Sequence, residues 1–514
     1  MDREERKARI PADVISILSA LEKAGFEAYM VGGSVRDLLL SLTPDDYDIT
    51  TNARPEEVLD VCLKNGWHTA DHLGQNFGCV IIVLNKVPYE VTTFRGERYD
   101  EGDVHRPAAT WYCDSLRDDL SRRDFTVNAM ALDMQGNLYD FFGGQQDLEN
   151  KILRTVGSPR VRYGEDALRM LRACRFAAQL GFTYVQSEDI LPPCGDKRSP
   201  YYLKESYRFP VERISRLSLE RVRREIDRLL ISAHAGRGLM LMMATGILGS
   251  SCRKRSGGKD EAVPLLPEAL HLLGMPQNPK YHIYDVWEHT LLAVDNGPRF
   301  LPIRWALLLH DLGKGLPDIR KLNKEGQPTD PGHEARSAVL AEDILNRLGY
   351  NKDFVRLVVW LVAQHMRFAP MLLTGVRTLL RWVRAEATSG IFKSEAELTE
   401  AYRQLTEVFL ADMGATHART NTKLMTEGRV LGEQVTELAR TCMPVSAKDL
   451  AVSGRDLLGL VPKEAIKDTF AYLLLRVQGG NLPNEKDALL KAVAKSIERQ
   501  HRREQLEKEQ NITL

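Results

Sequence analysis

The chain has 514 residues, 43% hydrophobic and 27% charged, a soluble globular profile and too much chain for one ordinary core. Lys+Arg and Asp+Glu both total 70, so a uniformly basic nucleic-acid coat is excluded while a local basic stripe is not. The seven cysteines form no C-x-x-C pair, no apolar run approaches bilayer length, and MDREERKARIPAD lacks a signal-peptide core, so a cytoplasmic protein without a membrane segment is expected.

PADVISILSALEKA predicts an amphipathic helix ended by Gly25, and AYMVGGSVRDLLLSL a strand, a double glycine and a second helix. DDYDIT and CVIIVLNKVPYEVTTFR read as β-rich, with turn chemistry at Asn85-Lys86. Beyond about Asp147 the strands are expected to disappear: Arg160–Phe182 and Ile214–Leu230 predict helices, and the helical period continues from about Tyr281 to Val430. Asp189–Pro210 and Ser250–Val263 read as inserted loops or linkers, and Ser496–Gln510 as a solvated helix end. The expected fold is an α/β head, a mixed sheet with helices, followed by a mostly α-helical neck, body, third domain and tail. The boundaries are expected at 1–155, 156–275, 276–425 and 426–514.

Several clusters carry chemistry. In VGGSVRD, Gly32 and Gly33 let backbone N–H groups approach an anion at a helix N-terminus, although a Gly-Gly turn serves equally well as a plain connection. Asp46 and Asp48 are two apart, so on a strand both carboxylates face one way. Like charges so placed call for a cation, and Mg²⁺ suits carboxylate oxygens; an isolated Asp-x-Asp is more often a solvated turn. In SRRDFTVNAMALD, Arg122 and Arg123 suit triphosphate oxygens, Asp124 can orient them or meet a ribose, and Asn128 can bind sugar or phosphate. In YGEDALRMLRACRF, Asp166 and Arg169 share a helix face. That spacing gives either an ordinary ion pair or a reader of base edges. A carboxylate beside a guanidinium accepts from the exocyclic amine and donates to the ring nitrogen of cytosine or adenine, and mismatches guanine and uracil.

GGSVRD, DDYD, RRDFTVNA, DLENKILR and EDALRMLRACRF occur in the order and spacing of the class II tRNA nucleotidyltransferases, the bacterial CCA-adding enzymes of the poly(A) polymerase superfamily, which the chain resembles over most of its length. The resemblance implies a nucleotidyltransferase that adds C, C and A to tRNA 3′ ends from CTP and ATP without a nucleic-acid template, acting on the acceptor arm. It implies that Asp46 and Asp48 are the catalytic Mg²⁺ ligands. Gly32, Gly33, Arg36 and Asp37 then fall on the phosphate side, and Arg123, Asp124 and Asn128 on the ribose and triphosphate motif. Asp166 and Arg169 fall on the amino-acid template, with Arg172 and Glu165 beside them; Asp147–Arg154 falls on a hinge, and Glu90 is a further candidate carboxylate. The Gly96–Leu116 loop, with EGDVHRP, disfavours an enzyme that adds only C; an A-adding enzyme and a poly(A) polymerase remain alternatives.

A second constellation follows. His289, His310-Asp311 and Asp412 fit the H…HD…D pattern of the HD phosphohydrolase superfamily, and His333 and His365 fall where its two-metal members place extra ligands. Imidazole plus carboxylate suits Mn²⁺, Fe²⁺, Co²⁺ or Ni²⁺, and the resemblance implies a phosphohydrolase activity in 3′-end repair. Rival readings are an HD phosphohydrolase with a degenerate nucleotide-binding head, and a non-catalytic tRNA-binding protein. The arginine-rich stretches Arg160–Arg175 and Arg208–Arg228 are expected to meet RNA phosphates.

Overall fold

The computed structural model describes residues 1–70, 78–98, 109–417, 422–442 and 444–512, so EGDVHRP lies outside the described residues. Two compact units are present, Met1–Leu270 and His271–Leu514.

The first unit opens with α1 (Arg3–Ala8) and α2 (Ala12–Lys23). The latter buries Val14, Ile17, Leu18 and Leu21, one stripe at helical spacing, and Gly25 leaves it at φ +92°. Then come β1 (Ala28–Val31), α3 (Gly33–Leu39), β2 (Asp48–Thr51), α4 (Pro55–Asn65), β3 (His68–Thr69), β4 (Cys79–Leu84) and β5 (Val87–Thr93). A separate hairpin pairs β6 (Arg95–Arg98) with β7 (Ala109–Tyr112), and α5 (Leu116–Ser121), β8 (Met130–Leu132) and β9 (Leu138–Asp140) complete the head. The seven-stranded sheet runs β3-β4-β5-β2-β1-β8-β9 and is mixed: β2 is parallel to β5 and antiparallel to β1. Asn85 and Lys86 both take positive φ, +50° and +68°, the twist a tight β4–β5 turn requires.

After α6 (Gly144–Glu149) the expected end of the strands is corrected. Short ladders join β10 (Ile152–Leu153) to β11 (Thr183–Tyr184) and β12 (Ile190–Leu191) to β13 (Ser206–Tyr207). The last of these closes Asp189–Pro210 into a folded lobe whose Tyr201, Tyr207 and Phe209 are buried. Ser250–Val263 is not a linker but a hairpin of β14 (Ser251–Ser256) and β15 (Lys259–Pro264), turned by Gly257-Gly258 at φ +57° and +82°. Its turn glycines and one inward Cys252/Val263 pair were too sparse to register as an apolar period. The helix predicted over Arg160–Phe182 is two, α7 (Pro159–Glu165) and α8 (Leu168–Leu180), broken where Asp166 turns extended at φ −137°, ψ 108°. The helix predicted from Ile214 begins later, as α9 (Leu219–Leu230), because Val211–Arg216 winds as a 3₁₀ turn. α10 (Ala235–Ala244) packs beside it.

The second unit is mostly helical: α11 (Val286–Asn296), α12 (Leu301–Leu309), α13 (His333–Arg347), α14 (Lys352–Gln364), α15 (Phe368–Met371), α16 (Val376–Thr388), α17 (Glu395–Gly414) and α18 (Thr422–Cys442), with a short ladder of β16 (Lys321–Leu322) and β17 (Pro328–Thr329) between α12 and α13. A tail of α19 (Gly454–Leu457), α20 (Ile466–Gln478) and α21 (Lys486–Ile512) has its own core of Leu457, Leu473, Leu489 and Val493. Among the described residues no helix is long and apolar enough to cross a membrane.

Candidate active site

In the head, β1 runs into Gly32, which stands at φ +77° and opens α3. A side chain there would be strained, and its Cβ would meet Arg123 Nη1 at 2.8 Å and Asp48 Oδ2 at 3.6 Å. That glycine thus leaves room for a guanidinium and a carboxylate side by side. Asp48 is the first residue of β2 and pairs directly with Glu90 on β5, so both side chains share a face. Asp46 is not on the strand as the spacing predicted; it is exposed in the loop two residues before. It is still close enough to act: burial, then Asp46 and Glu90, push Asp48 up to about 6 against the pull of Arg123. Asp48 thus carries a charge that Asp46 and Glu90 both disfavour, and carboxylate oxygens are the hard donors that a divalent cation such as Mg²⁺ takes.

The SRRD turn is built from α5. Arg122 points inward, donating from Nη2 to Asp119 Oδ1 at 2.7 Å and from Nε to the Arg95 carbonyl at 3.1 Å. Arg123 alone of the pair lies against Gly32. Asp124 is buried and accepts from Phe125 N at 2.9 Å, Asn128 Nδ2 at 3.1 Å and Arg172 Nε at 2.8 Å. Burial opposes ionisation, but Arg172 and Asn128 hold its pKa down at about 2. Asn128 in turn accepts from Arg36 Nη1 at 2.7 Å, and Arg36 grips Asp37 at 2.8 and 2.9 Å.

The neck docks onto this turn through arginines. Arg162 Nη1 donates to the Ser121 carbonyl at 3.1 Å, Arg169 Nη2 to the Arg122 carbonyl at 2.8 Å, and Arg172 Nη2 to Asp124 at 2.5 Å. Arg169 does not pair with Asp166 on one helix face as predicted. Its Nη1 takes Glu165 Oε2 at 2.5 Å, while Asp166, in the break between α7 and α8, accepts from Leu168 N at 3.0 Å. The two residues remain neighbours at the same junction. In the hinge motif Arg154 pairs with Asp147 at 3.2 Å, and Asp147 accepts from Thr126 at 2.6 Å.

Sequence reasoning passed over Asp119, a fully buried carboxylate. Its signal was present: it stands three and four residues before Arg122 and Arg123, the spacing of helical ion pairs.

In the second unit the predicted HD residues converge. His289 from α11, His310 and Asp311 after α12, His333 opening α13, His365 after α14 and Asp412 from α17 come together. Asp311 is the shared element: its Oδ2 lies 3.5 Å from His289 Nε2 and 3.2 Å from His310 Nε2, and its Oδ1 lies 3.1 Å from His333 Nε2 and 3.9 Å from His365 Nε2. Asp412 Oδ1 closes the first triad, 3.1 Å from His289 Nε2. Among the described residues, the groups whose ligand atoms lie close enough to hold an ion are His289, His310, Asp311 and Asp311, His333, His365.

The outer nitrogens settle the orientation. Nδ1 lies 3.3 Å from the Ala415 carbonyl in His289, 2.7 Å from Leu307 in His310, 2.8 Å from Asp330 in His333 and 2.7 Å from Val362 in His365. A carbonyl only accepts, so each Nδ1 carries hydrogen and each Nε2 is turned to the centre. There the Nε2 atoms approach one another, 3.4 Å for His289 and His310 and 3.3 Å for His333 and His365. Burial, with His310 and His333, holds His365 neutral by pushing it down to about 3. Against its own burial His310 is drawn above its usual value by Asp311 and Asp412: the centre attracts positive charge. Both Asp311 oxygens are buried without a well-aligned hydrogen bond. Imidazole nitrogens and carboxylate oxygens converging on Asp311 are a mixed donor set that fits divalent metal ions of intermediate softness. Lys314, which the sequence reading also passed over, brings Nζ to 2.7 Å from Asp311 and 2.9 Å from Gln277 Oε1.

The domain families agree with this division. Residues 28–154 match the poly(A) polymerase head domain, 210–250 the probable RNA- and SrmB-binding site of polymerase A, and 281–410 the HD domain. A CCA-adding enzyme of Geobacillus sp. (strain WCH70) is 42% identical over 233 residues, 45% of this chain and 52% of the relative. One from Lactobacillus helveticus (strain DPC 4571) is 38% identical over 252 residues, 49% of this chain and 57% of that one. The matched part thus spans about half the length of these curated relatives. The Bacillus stearothermophilus CCA-adding enzyme, solved with CTP, superposes with a TM-score of 0.58 at 24% identity, covering 98% of this chain and 100% of that one. The chain carries a poly(A) polymerase head domain and an HD domain, on the fold of a CCA-adding enzyme.

Proposed function

We propose that the chain is a tRNA nucleotidyltransferase that adds C, C and A to tRNA 3′ ends from CTP and ATP. The observation that carries this reading is the docking of the neck on the head. Arg162, Arg169 and Arg172 grip the 121–124 turn, and so bring the Glu165–Arg169 junction beside the residues suited to a triphosphate. A base reader and a phosphate binder fixed to one another need no nucleic-acid template between them.

The roles follow from the donors and acceptors at hand. Arg123, against Gly32, faces the triphosphate. Asp124 and Asn128 offer an acceptor and an amide to the ribose. Asp166 and Arg169 read the base edge, Asp166 as acceptor and Arg169 as donor, while the Glu165 and Arg122 carbonyl contacts fix the arginine's plane. Asp46 and Asp48 hold Mg²⁺, with Glu90 across the ladder. When bound, that ion supplies charge neutralisation and a more acidic 3′-hydroxyl. Arginines on α7 and α9 give the acceptor arm a phosphate-binding face.

The test is single-nucleotide extension of tRNAs truncated before the first C, the second C and the terminal A, with each labelled NTP. Growth by C, C, A and then arrest is expected. A added only to CC-ended tRNA would make the chain an A-adding enzyme, a long A tract a poly(A) polymerase, and no extension would overturn the reading.

The HD centre favours a second, separate activity. His289, His310, Asp311 and Asp412, with His333 and His365, hold one or two Mn²⁺, Fe²⁺, Co²⁺ or Ni²⁺ ions, which when bound supply an activated water for phosphoester hydrolysis at tRNA 3′ ends. Chelator-stripped protein is expected to gain several degrees of thermal stability when Mn²⁺ or Ni²⁺ is added at about a hundred times its Kd, equivalent to about 2.7 kcal/mol. Asp311→Ala is expected to abolish the gain, because that carboxylate serves both groups. A full stabilisation retained in the variant would remove Asp311 from the ligand set.

A further inference from the structure

Asp119 sits where four elements of the head meet. It ends no helix and faces no solvent, yet it is ionised: burial opposes its charge, and Arg122 and Arg123 hold its pKa below the usual carboxylate range. Its two oxygens have separate duties. Oδ1 takes Arg122 Nη2 at 2.7 Å and the Arg95 backbone N–H, at the root of β6, at 3.3 Å. Oδ2 faces Arg123 Nη2 at 3.7 Å and lies 3.3 Å from the Thr50 hydroxyl, whose one hydrogen it shares with the Thr92 carbonyl at 3.2 Å. Thr50 is two residues beyond Asp48 on β2, so the two side chains point to one face of the sheet.

Arg123 therefore stands between two carboxylates. One of its ends lies toward Asp119, and Nη1 lies against Gly32, beside Asp48. A guanidinium released from one carboxylate closes on the other, because a buried charge left without its partner is strongly disfavoured. Closed on Asp48, Arg123 would fill the place where a cation and a triphosphate have to meet.

We propose that Asp119 is a positioning residue for nucleoside-triphosphate binding, its carboxylate holding Arg123 off Asp48 and fixing Arg122 against the root of β6. The inference rests on the nucleotidyltransferase reading. It assigns Asp119 an effect common to CTP and ATP, since what it orients faces phosphates and not bases. Asparagine at 119 keeps the shape but removes the charge and can offer an oxygen to only one of the two arginines, so the joint hold is lost.

The experiment measures Kd for CTP and for ATP by calorimetry with Mg²⁺, and KM and kcat on truncated tRNA, for wild type, Asp119→Asn and Thr50→Val in the full chain. Asp119→Asn is expected to raise both nucleotide Kd values and both KM values by roughly tenfold, the scale of one charge-assisted contact, with tRNA Kd and base choice unchanged. Thr50→Val, which removes one acceptor contact and leaves the charge, is expected to raise them about two- to threefold. A folded Asp119→Asn protein that binds both nucleotides within twofold of wild type would overturn the proposal, as would a rise for one nucleotide only. Should Asp119→Asn not fold, Thr50→Val decides: unchanged nucleotide Kd values overturn it. Failure of the wild type to extend tRNA counts against the nucleotidyltransferase reading alone, because nucleotide binding is read without it.

Discussion

Asp48→Ala is expected to lower nucleotide addition roughly a thousandfold or more, about 4 kcal/mol of transition-state stabilisation, while tRNA still binds. Asp48 is the one carboxylate that the strand, the Gly32 gap and the ladder to Glu90 all converge on. Removing it also removes a charge strained by its neighbours, so the variant should fold at least as well as the wild type; burial with Asp46 and Glu90 already pushes that carboxyl to about 6. Single-turnover extension alongside filter binding of the same tRNA separates the two effects. Turnover within tenfold of wild type would take Asp48 out of the metal site.

Arg169→Ala should change which nucleotide is used more than how fast. The side chain bonds Glu165 and the Arg122 carbonyl, and its loss removes the donor plane beside Asp166. Mispaired polar groups at a buried site normally reject the wrong base strongly, and that penalty is what the truncation removes. Incorporation of UTP and GTP relative to CTP and ATP is expected to rise by roughly 10- to 100-fold, measured with competing nucleotides on one truncated tRNA. Arg169→Lys should behave like the alanine variant, since an ammonium lacks the planar fork. If UTP and GTP stay negligible while CTP use is near normal, base choice lies elsewhere.

Much of this was legible in the sequence because the informative contacts are local. The Gly-Gly step and the β4–β5 turn at Asn85-Lys86 are written in adjacent residues. The histidines of the second unit were legible as a set, although nothing in their spacing tells that Asp311 is the oxygen they share. What failed to read was context. The break at Asp166 has no proline, its one nearby glycine, Gly164, is still wound into α7, and the segment keeps its helical period across the gap. The lobe at Asp189–Pro210 is held by buried tyrosines and by a ladder only two residues long, too short to show a strand period, so composition alone described it as loop. Arg122 and Arg123 are adjacent and identical in type, and only tertiary placement sends one to Asp119 and the other to Gly32.

The line of contacts from Asp37 through Arg36, Asn128 and Asp124 to Arg172 has one more implication. Each member is already matched, so an arriving sugar or phosphate displaces an internal partner instead of filling a gap. The heat released on binding is then a difference between two sets of similar bonds, and is small whatever the affinity. Such a relay trades links rather than gaining them. A substituent that forms one good bond but strands the group it displaces gains nothing, so a ligand is judged by whether the whole row can re-pair.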